Sequence, residues 1–390
     1  MLRFATAGES HGQGLIALLQ GMPAGVSVDV EFINSELRRR QGGYGRGERM
    51  KMESDCADIL AGVRHGQTIG APVAILIRNR DWENWKAVLA VEAGPVPEER
   101  QRKLTRPRPG HADLAGCLKY NLHDARYVLE RASARESAAR VAAGALAKLL
   151  LRAFAIEVWS HVIAVGSVVL RRQVSFEKIR EAAVRPEPML RCADPETEAA
   201  MKQEVDQALR NGDSVGGVFE VVARGVPPGL GTHANWDERL DGLLAQALMS
   251  LQAVKAVEIG TGIENALSFG SAVQDPIGYD RARPGFTRPS NRAGGIEGGI
   301  SNGEDIVVRG YLKPISTLRR PLASTDLVTK EPVAAAYERS DVCVVPAAGV
   351  AGEAMVALVL ARCLLEKFGG DSLAEIQRNY RSYVEQVRAF

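Results

Sequence analysis

The chain has 390 residues, a formal net charge of +2 and 46% hydrophobic residues. That apolar content supports a packed core and excludes a chain disordered throughout, and the near-neutral charge argues against a protein that coats nucleic acid or an anionic membrane. Five scattered cysteines (Cys56, Cys117, Cys192, Cys343, Cys363) without a C-x-x-C pair argue against a disulfide framework or a structural zinc.

Met1–Glu9 lacks a basic start followed by an apolar stretch, so no secretory leader is expected. The longest apolar run, Ala354–Ala361, is far shorter than a membrane span. The expected compartment is the cytoplasm. In chain order, strands are predicted at Leu2–Thr6 and Val73–Ile77. A long alanine-rich helix is predicted at Tyr127–Phe154. Strands follow at Ile156–Ser160, Val162–Leu170 and Val218–Ala223. A helix at Asp237–Val254 places Leu240, Leu243, Leu244, Ala247, Leu248 and Leu251 on one face. Strands at Val257–Ile259 and Ile306–Leu312 come next, then a helix at Gly349–Phe368 stopped by Gly369 and Gly370. Strands and helices do not alternate one for one. A doubly wound parallel sheet is therefore disfavoured, and an α+β fold with helices packed on antiparallel sheets is expected. The loop-rich stretches Glu92–Gly110, Arg185–Pro195 and Asp275–Gly303 read as ordered functional loops of a single domain over 1–390, not as tethers.

Six segments carry side chains suited to chemistry. Gly8-Glu9-Ser10-His11-Gly12-Gln13-Gly14 mounts a Ser–His pair between glycines, and histidine exchanges protons near neutral pH. A plain hairpin turn is the alternative. Its Gly12-x-Gly14-x-x-Ala17 spacing is a weak Rossmann-like signal, because Gly21 and Pro23 end the next element early. Glu36–Lys51 interleaves Arg38, Arg39, Arg40, Arg46, Arg49 and Lys51 with glycines, a pattern for an anion site or for a solvated basic loop. Arg106-Pro-Arg108-Pro-Gly110-His111-Ala-Asp113 is a rigid mount for a second proton-transfer group, with Asp113 readable as a helix N-cap. Arg131 and Arg135 fall four apart on the alanine-rich helix beside Ser133, either on an anion or at the surface. The glycine-rich run Gly294–Gly303 and the later Lys313-Pro-Ile-Ser-Thr317 can admit a flat or phosphorylated ligand. Glu338-Arg339-Ser340-Asp341 offers carboxylates at a strand entrance. The residues alone support an enzyme for a small anionic substrate that uses histidine acid–base chemistry, with no metal site.

Taken in order, these motifs closely resemble the chorismate synthase family from end to end. Gln20 and Ser137 depart from its commoner residues. The resemblance implies a β-α-β sandwich with internal duplication, typically a homotetramer. It implies conversion of 5-enolpyruvylshikimate 3-phosphate to chorismate and phosphate by a 1,4-anti elimination with reduced FMN, with NADPH a candidate reductant. By the same resemblance, His11 protonates the departing phosphate, His111 acts near the reduced flavin, and Asp341 takes the flavin N5 proton. Ser10, Arg40, Arg46, Arg49, Arg135 and Arg339 hold the substrate or NADP. Arg131, Ala132, Ser133, Gln252, Ala253, Gly298, Lys313, Pro314, Ile315, Ser316, Thr317 and Arg339 line the FMN. No nucleic-acid or membrane partner is implied. The competing functions are an RNA-binding protein using Arg38–Lys51 and a nicotinamide dehydrogenase built on the Gly12 turn.

Overall fold

Gly14–Gln20 alternates buried Leu15, Ala17 and Leu19 with exposed Ile16, the period of a half-buried strand. It pairs antiparallel with Arg3–Ala7, Ala7 opposite Ile16. The glycine-flanked histidine therefore sits in a turn between antiparallel strands, and no βαβ nucleotide turn forms there. In this computed structural model the described residues are 1–46, 55–95, 101, 103–185, 189–282, 285–338 and 341–390.

One topology occurs twice. In the first unit β1 (Arg3–Ala7), β2 (Gly14–Gln20), helix α1 (Val30–Gln41), β3 (Ala57–Ala61) and β4 (Val73–Arg78) form a sheet in the order β1-β2-β4-β3. A long connection carrying α2 (Arg126–Ala132) then leads into α3 (Ser137–Arg152). In the second unit β5 (Glu157–Val165), β6 (Gly217–Arg224), α4 (Leu240–Met249), β7 (Val254–Ile259) and β8 (Ile306–Leu312) pair in the order β5-β6-β8-β7. Another connection then enters α5 (Val345–Phe368). All of these pairings are antiparallel. The first sheet packs on α3 and the second on α5, so the helices lie between the sheets. The sandwich and its duplication are as the resemblance implied.

The alanines of α3 explain its place. Ala138, Ala139, Ala142, Ala143, Ala145 and Ala147 are buried, and small side chains let α5 approach closely. A Cβ added at Gly144 would lie 2.3 Å from Ala354 Cβ. Helix α5 is longer than predicted, because Pro346 suits a first turn where no backbone donor is needed. This 24-residue helix is long and apolar enough to cross a membrane by length and composition, which the run Ala354–Ala361 alone did not reveal. Yet 78% of its most apolar window is buried inside the sandwich, as the core helix of a folded domain is.

The predicted helix Tyr127–Phe154 is interrupted. Ser133 is extended (φ −62°, ψ 140°), and a 3-10 turn, Ala134–Glu136, separates α2 from α3. Ser133 Oγ accepts the Arg135 N–H at 3.3 Å, a capping bond that competes with a continuous helix. The strands predicted at Ile156–Ser160 and Val162–Leu170 merge into β5 and a short edge strand, Val168–Val169, with an irregularity at Val162–Ala164.

Candidate active site

Both units open at the same end, where β1 meets β2, where β4 and β8 finish, and where β7 begins. Their connections enclose a cavity of about 1080 Å³. The first unit contributes Ser10, His11, Asn79, Trp85, Arg108, His111 and 132–135; the second contributes Gln252, Ala253, Lys313, 315–317, Glu338 and Asp341.

His11 is nearly buried, in a turn fixed by Asn79, whose Nδ2 donates to the carbonyls of Ser10 and Gly12 at 3.2 and 3.0 Å. Its Nδ1 lies 2.9 Å from both oxygens of Glu130, and its backbone N–H donates to Glu130 Oε2 at 2.8 Å. The ring stacks on Trp85 at 4.0 Å between centroids. Burial pushes the Glu130 carboxyl up, but the His11 hydrogen bonds and charge, with Arg126, bring it below its ordinary value. An ionised Glu130 makes Nδ1 the donor, which leaves Nε2 for the cavity.

His111 has a parallel mount built locally. Its Nδ1 donates to Asp113 Oδ1 at 2.5 Å. Arg108 fixes the same carboxylate with Nε on Oδ2 at 2.8 Å and Nη2 on Oδ1 at 3.0 Å, while its Nη1 donates to Thr317 Oγ1 at 2.9 Å. Burial raises the Asp113 carboxyl, and the bonds from His111 and Arg108 overcome this and hold it far below the usual range. Asp113 is the first residue of a short helix, Asp113–Tyr120, and turns back onto the loop rather than capping it.

The arginines divide. Arg135 is a cavity residue, bidentate on Asp55 at 2.5 and 2.7 Å. Arg46 Nη1 pairs with Asp341 Oδ2 at 2.7 Å, so Arg46 reaches the cavity through that carboxylate. Arg40 lies beneath the lining, donating to Ser137 Oγ at 2.8 Å and the Ala134 carbonyl at 3.1 Å. Arg38 pairs with Glu31 at the surface. Arg39 is buried against Glu36 at 2.6 Å and Glu353 at 2.7 Å, and Lys148 joins the same two carboxylates. Among the described residues of the basic run, Arg39, Arg40 and Arg46 meet carboxylates inside the fold, and Arg38 pairs at the surface. Arg131 and Arg135 do not share a face. The break at Ser133 sends Arg131 outward to the Thr6 and Gly8 carbonyls at 3.1 and 3.2 Å.

A family profile described as chorismate synthase matches residues 2–365. The chain belongs to the chorismate synthase family. It is 65% identical over 390 residues to the chorismate synthase of Solibacter usitatus, covering 100% of both chains. It is 52% identical over 400 aligned positions to the chorismate synthase of Aquifex aeolicus, covering 100% of this chain and 99% of the relative. A solved crystal structure of chorismate synthase superposes with a TM-score of 0.79 at 43% identity, covering 100% of this chain and 99% of that one.

Of the residues that the family resemblance selects, Ser10, His11, His111, Ala132, Ser133, Arg135, Gln252, Ala253, Lys313, Ile315, Ser316, Thr317 and Asp341 line the one cavity. Arg40, Arg46, Arg131 and Pro314 are not among its lining residues. Nor is Gly298, which lies in the hairpin joining Ile296–Glu297 to Ile300–Ser301, its carbonyl accepting from Arg239 Nη1 at 3.2 Å. Arg49 and Arg339 fall outside the described residues. The motifs did not single out Glu130, Arg126, Trp85, Asn79 or Asp55. Arg108 and Asp113 were visible as near neighbours of His111; the others are joined to the site only by the fold.

Proposed function

We propose that this cavity binds 5-enolpyruvylshikimate 3-phosphate and reduced FMN side by side and that His11, His111 and Asp341 manage the protons of the elimination. The chain is a carbon–oxygen lyase of the chorismate synthase family, and its reaction yields chorismate and phosphate. The observation that carries the reading is the pair of histidines, each held at Nδ1 by a buried carboxylate, on the wall of one cation-lined cavity.

The donor set suits a phosphorylated flavin. Gly110 has φ +77°, and a Cβ there would come within 3.4 Å of Ser316 Oγ and 3.6 Å of Lys313 Nζ. The missing side chain leaves a concave face beside an ammonium and a hydroxyl. Lys313, Ser316, Thr317, Ser133, Gln252 and Ala253 would hold the cofactor, with Ala132, Ile315, Pro314, Arg131, Gly298 and Arg339 assigned to it by the resemblance alone. When bound, reduced FMN supplies electron density and a basic nitrogen for the substrate's C6 proton.

In the elimination the C6–H bond breaks and its electron pair forms a C6=C1 double bond, the ring's existing C1=C2 pair moves to C2=C3, and the C3–O bond breaks with its pair on the leaving phosphate. His11 gives the Nε2 proton to a phosphate oxygen as charge builds there. His111, with its tautomer set by Asp113, faces the cofactor side. Asp341, steadied by Arg46, accepts a proton at its carboxylate. Arg135 and Ser10, on the cavity wall, stabilise the substrate's anionic groups, and the resemblance alone adds Arg40, Arg46 and Arg49 to them.

The same reading makes the chain one duplicated domain over 1–390, cytoplasmic and homotetrameric, with no nucleic-acid or membrane partner and with NADPH as reductant. The repeated strand order supports the first point. Exposed Trp236, Leu267 and Phe269 support contact between copies. An anaerobic assay with reduced FMN and the substrate should release phosphate and chorismate together. Folded protein without turnover would overturn the reading. Turnover with NADPH and oxidised FMN would show that the chain reduces its own flavin.

A further inference from the structure

Glu338, Arg126, Glu130 and His11 form a continuous series of charged contacts from the second unit's wall of the cavity to the imidazole on the first. Arg126 is its centre: Nη2 lies 2.8 Å from Glu338 Oε1, and Nη1 lies 3.5 Å from Glu130 Oε1. Glu130 in turn holds both Nδ1 and the backbone N–H of His11. A second route from the same guanidinium runs through Trp85, whose ring centroid is 5.3 Å from Arg126 Cζ and whose face stacks on His11. The side chains of Glu130, Arg126 and His11 are sealed, at 1%, 7% and 9% exposure, whereas Glu338 keeps 30%.

One guanidinium between two carboxylates is a divided partner, and at low dielectric the division is felt strongly. We propose that Arg126 and Glu338 are positioning residues for His11: the seating of Glu338 on Arg126 sets how firmly Glu130 orients the imidazole. The formal charges of the four groups cancel when His11 carries its second proton, the form a proton donor needs. Glu338 and Asp341 both line the cavity, so a change at the second unit's wall is coupled through Arg126 to His11. The inference rests on the reading of His11 as proton donor.

The test uses the full-length protein labelled with 15N-histidine. The Nδ1–H signal of His11 is assigned by its loss in His11→Ala. Glu338→Gln, a mild change at a partly exposed site, should displace that signal without abolishing it. It should lower kcat roughly threefold to tenfold while KM for 5-enolpyruvylshikimate 3-phosphate stays within about twofold. Arg126→Lys should fall between wild type and Arg126→Gln, and Glu130→Gln combined with Glu338→Gln should be non-additive. An unmoved His11 signal in folded Glu338→Gln protein, or strict additivity of that pair, overturns the proposal. If His11→Ala keeps full turnover while Glu338→Gln still moves the signal, the contact series stands and the donor reading of His11 fails.

Discussion

The two histidines of the cavity rest on carboxylates in the same manner but at opposite ranges. His111 and Asp113 are two positions apart on one loop, tied together by Arg108. His11 and Glu130 are 119 positions apart and meet only when the β1–β2 turn docks on α2. A proton-transfer group can thus be oriented by its own loop or by the tertiary structure. In the first case the mount survives as long as the loop does. In the second it depends on the packing of the whole first unit.

Removing the rings is the strongest way to break this comparison. His11→Ala and His111→Ala should each lower kcat by ~10²–10⁴-fold, the usual range for a general acid or base. FMN affinity, followed by flavin fluorescence, should hold in His111→Ala. Full turnover by either variant would remove that histidine from the chemistry. Next come the carboxylates. Asp113→Asn and Glu130→Gln should each cost on the order of tenfold to a hundredfold in kcat, because an amide no longer enforces the Nδ1–H tautomer. The variants should differ in reach: Asp113→Asn should leave hydrogen exchange in β1 and β2 unchanged, and Glu130→Gln should quicken it. Equal exchange in both variants would erase the distinction between local and tertiary mounts.

A pH series sharpens the same contrast. Both carboxyls are held below their ordinary values, Asp113 the further of the two. Their stabilising contribution is therefore present above the unfolded carboxylate pKa of about 4 and is lost as pH falls through the folded value. In urea melts from pH 7 downward, the deficit of each variant against wild type should stay constant to about pH 5 and then shrink. The Asp113→Asn deficit should persist to the lower pH. A deficit that grows on acidification would contradict the assigned ionisation. The smallest effect is expected from Thr317→Val, which removes the acceptor for Arg108 Nη1. The loss of one such bond should lower folding stability by about 1 kcal/mol in urea melts and leave kcat nearly unchanged.

Much of this was legible in the sequence, for physical reasons. Short runs rich in Val and Ile located β4, β6 and β8, and the run of Leu240, Leu244 and Leu248 located α4, because buried faces demand apolar side chains. The Arg106–Asp113 motif offered a rigid histidine mount because its parts are local, while Asp113, read there as a helix N-cap, proved to be the carboxylate that holds the ring. The signals of β2 were present in Leu15, Ala17 and Leu19 but were overshadowed by its glycines. The break at Ser133 was hidden because a single extended residue leaves the apolar pattern on either side intact. Glu130 was hidden because its partner is remote. Arg39 looked like an anion ligand because sequence does not show that Glu353, 314 positions away, claims it.

The contact between Gly144 and Ala354 has a bearing on binding as well as on packing. It lies about two turns along α3 from the cavity, yet it acts as a spacer for the whole molecule. The walls carrying His11 and His111 belong to the unit that hangs on α3, and the wall carrying Lys313 and Asp341 belongs to the unit that hangs on α5. With no room for even one methyl group at the crossing, the aperture between those walls is gauged by the smallest residues in the chain. The width available to substrate is therefore tied to the girth of a helix crossing outside the cavity lining.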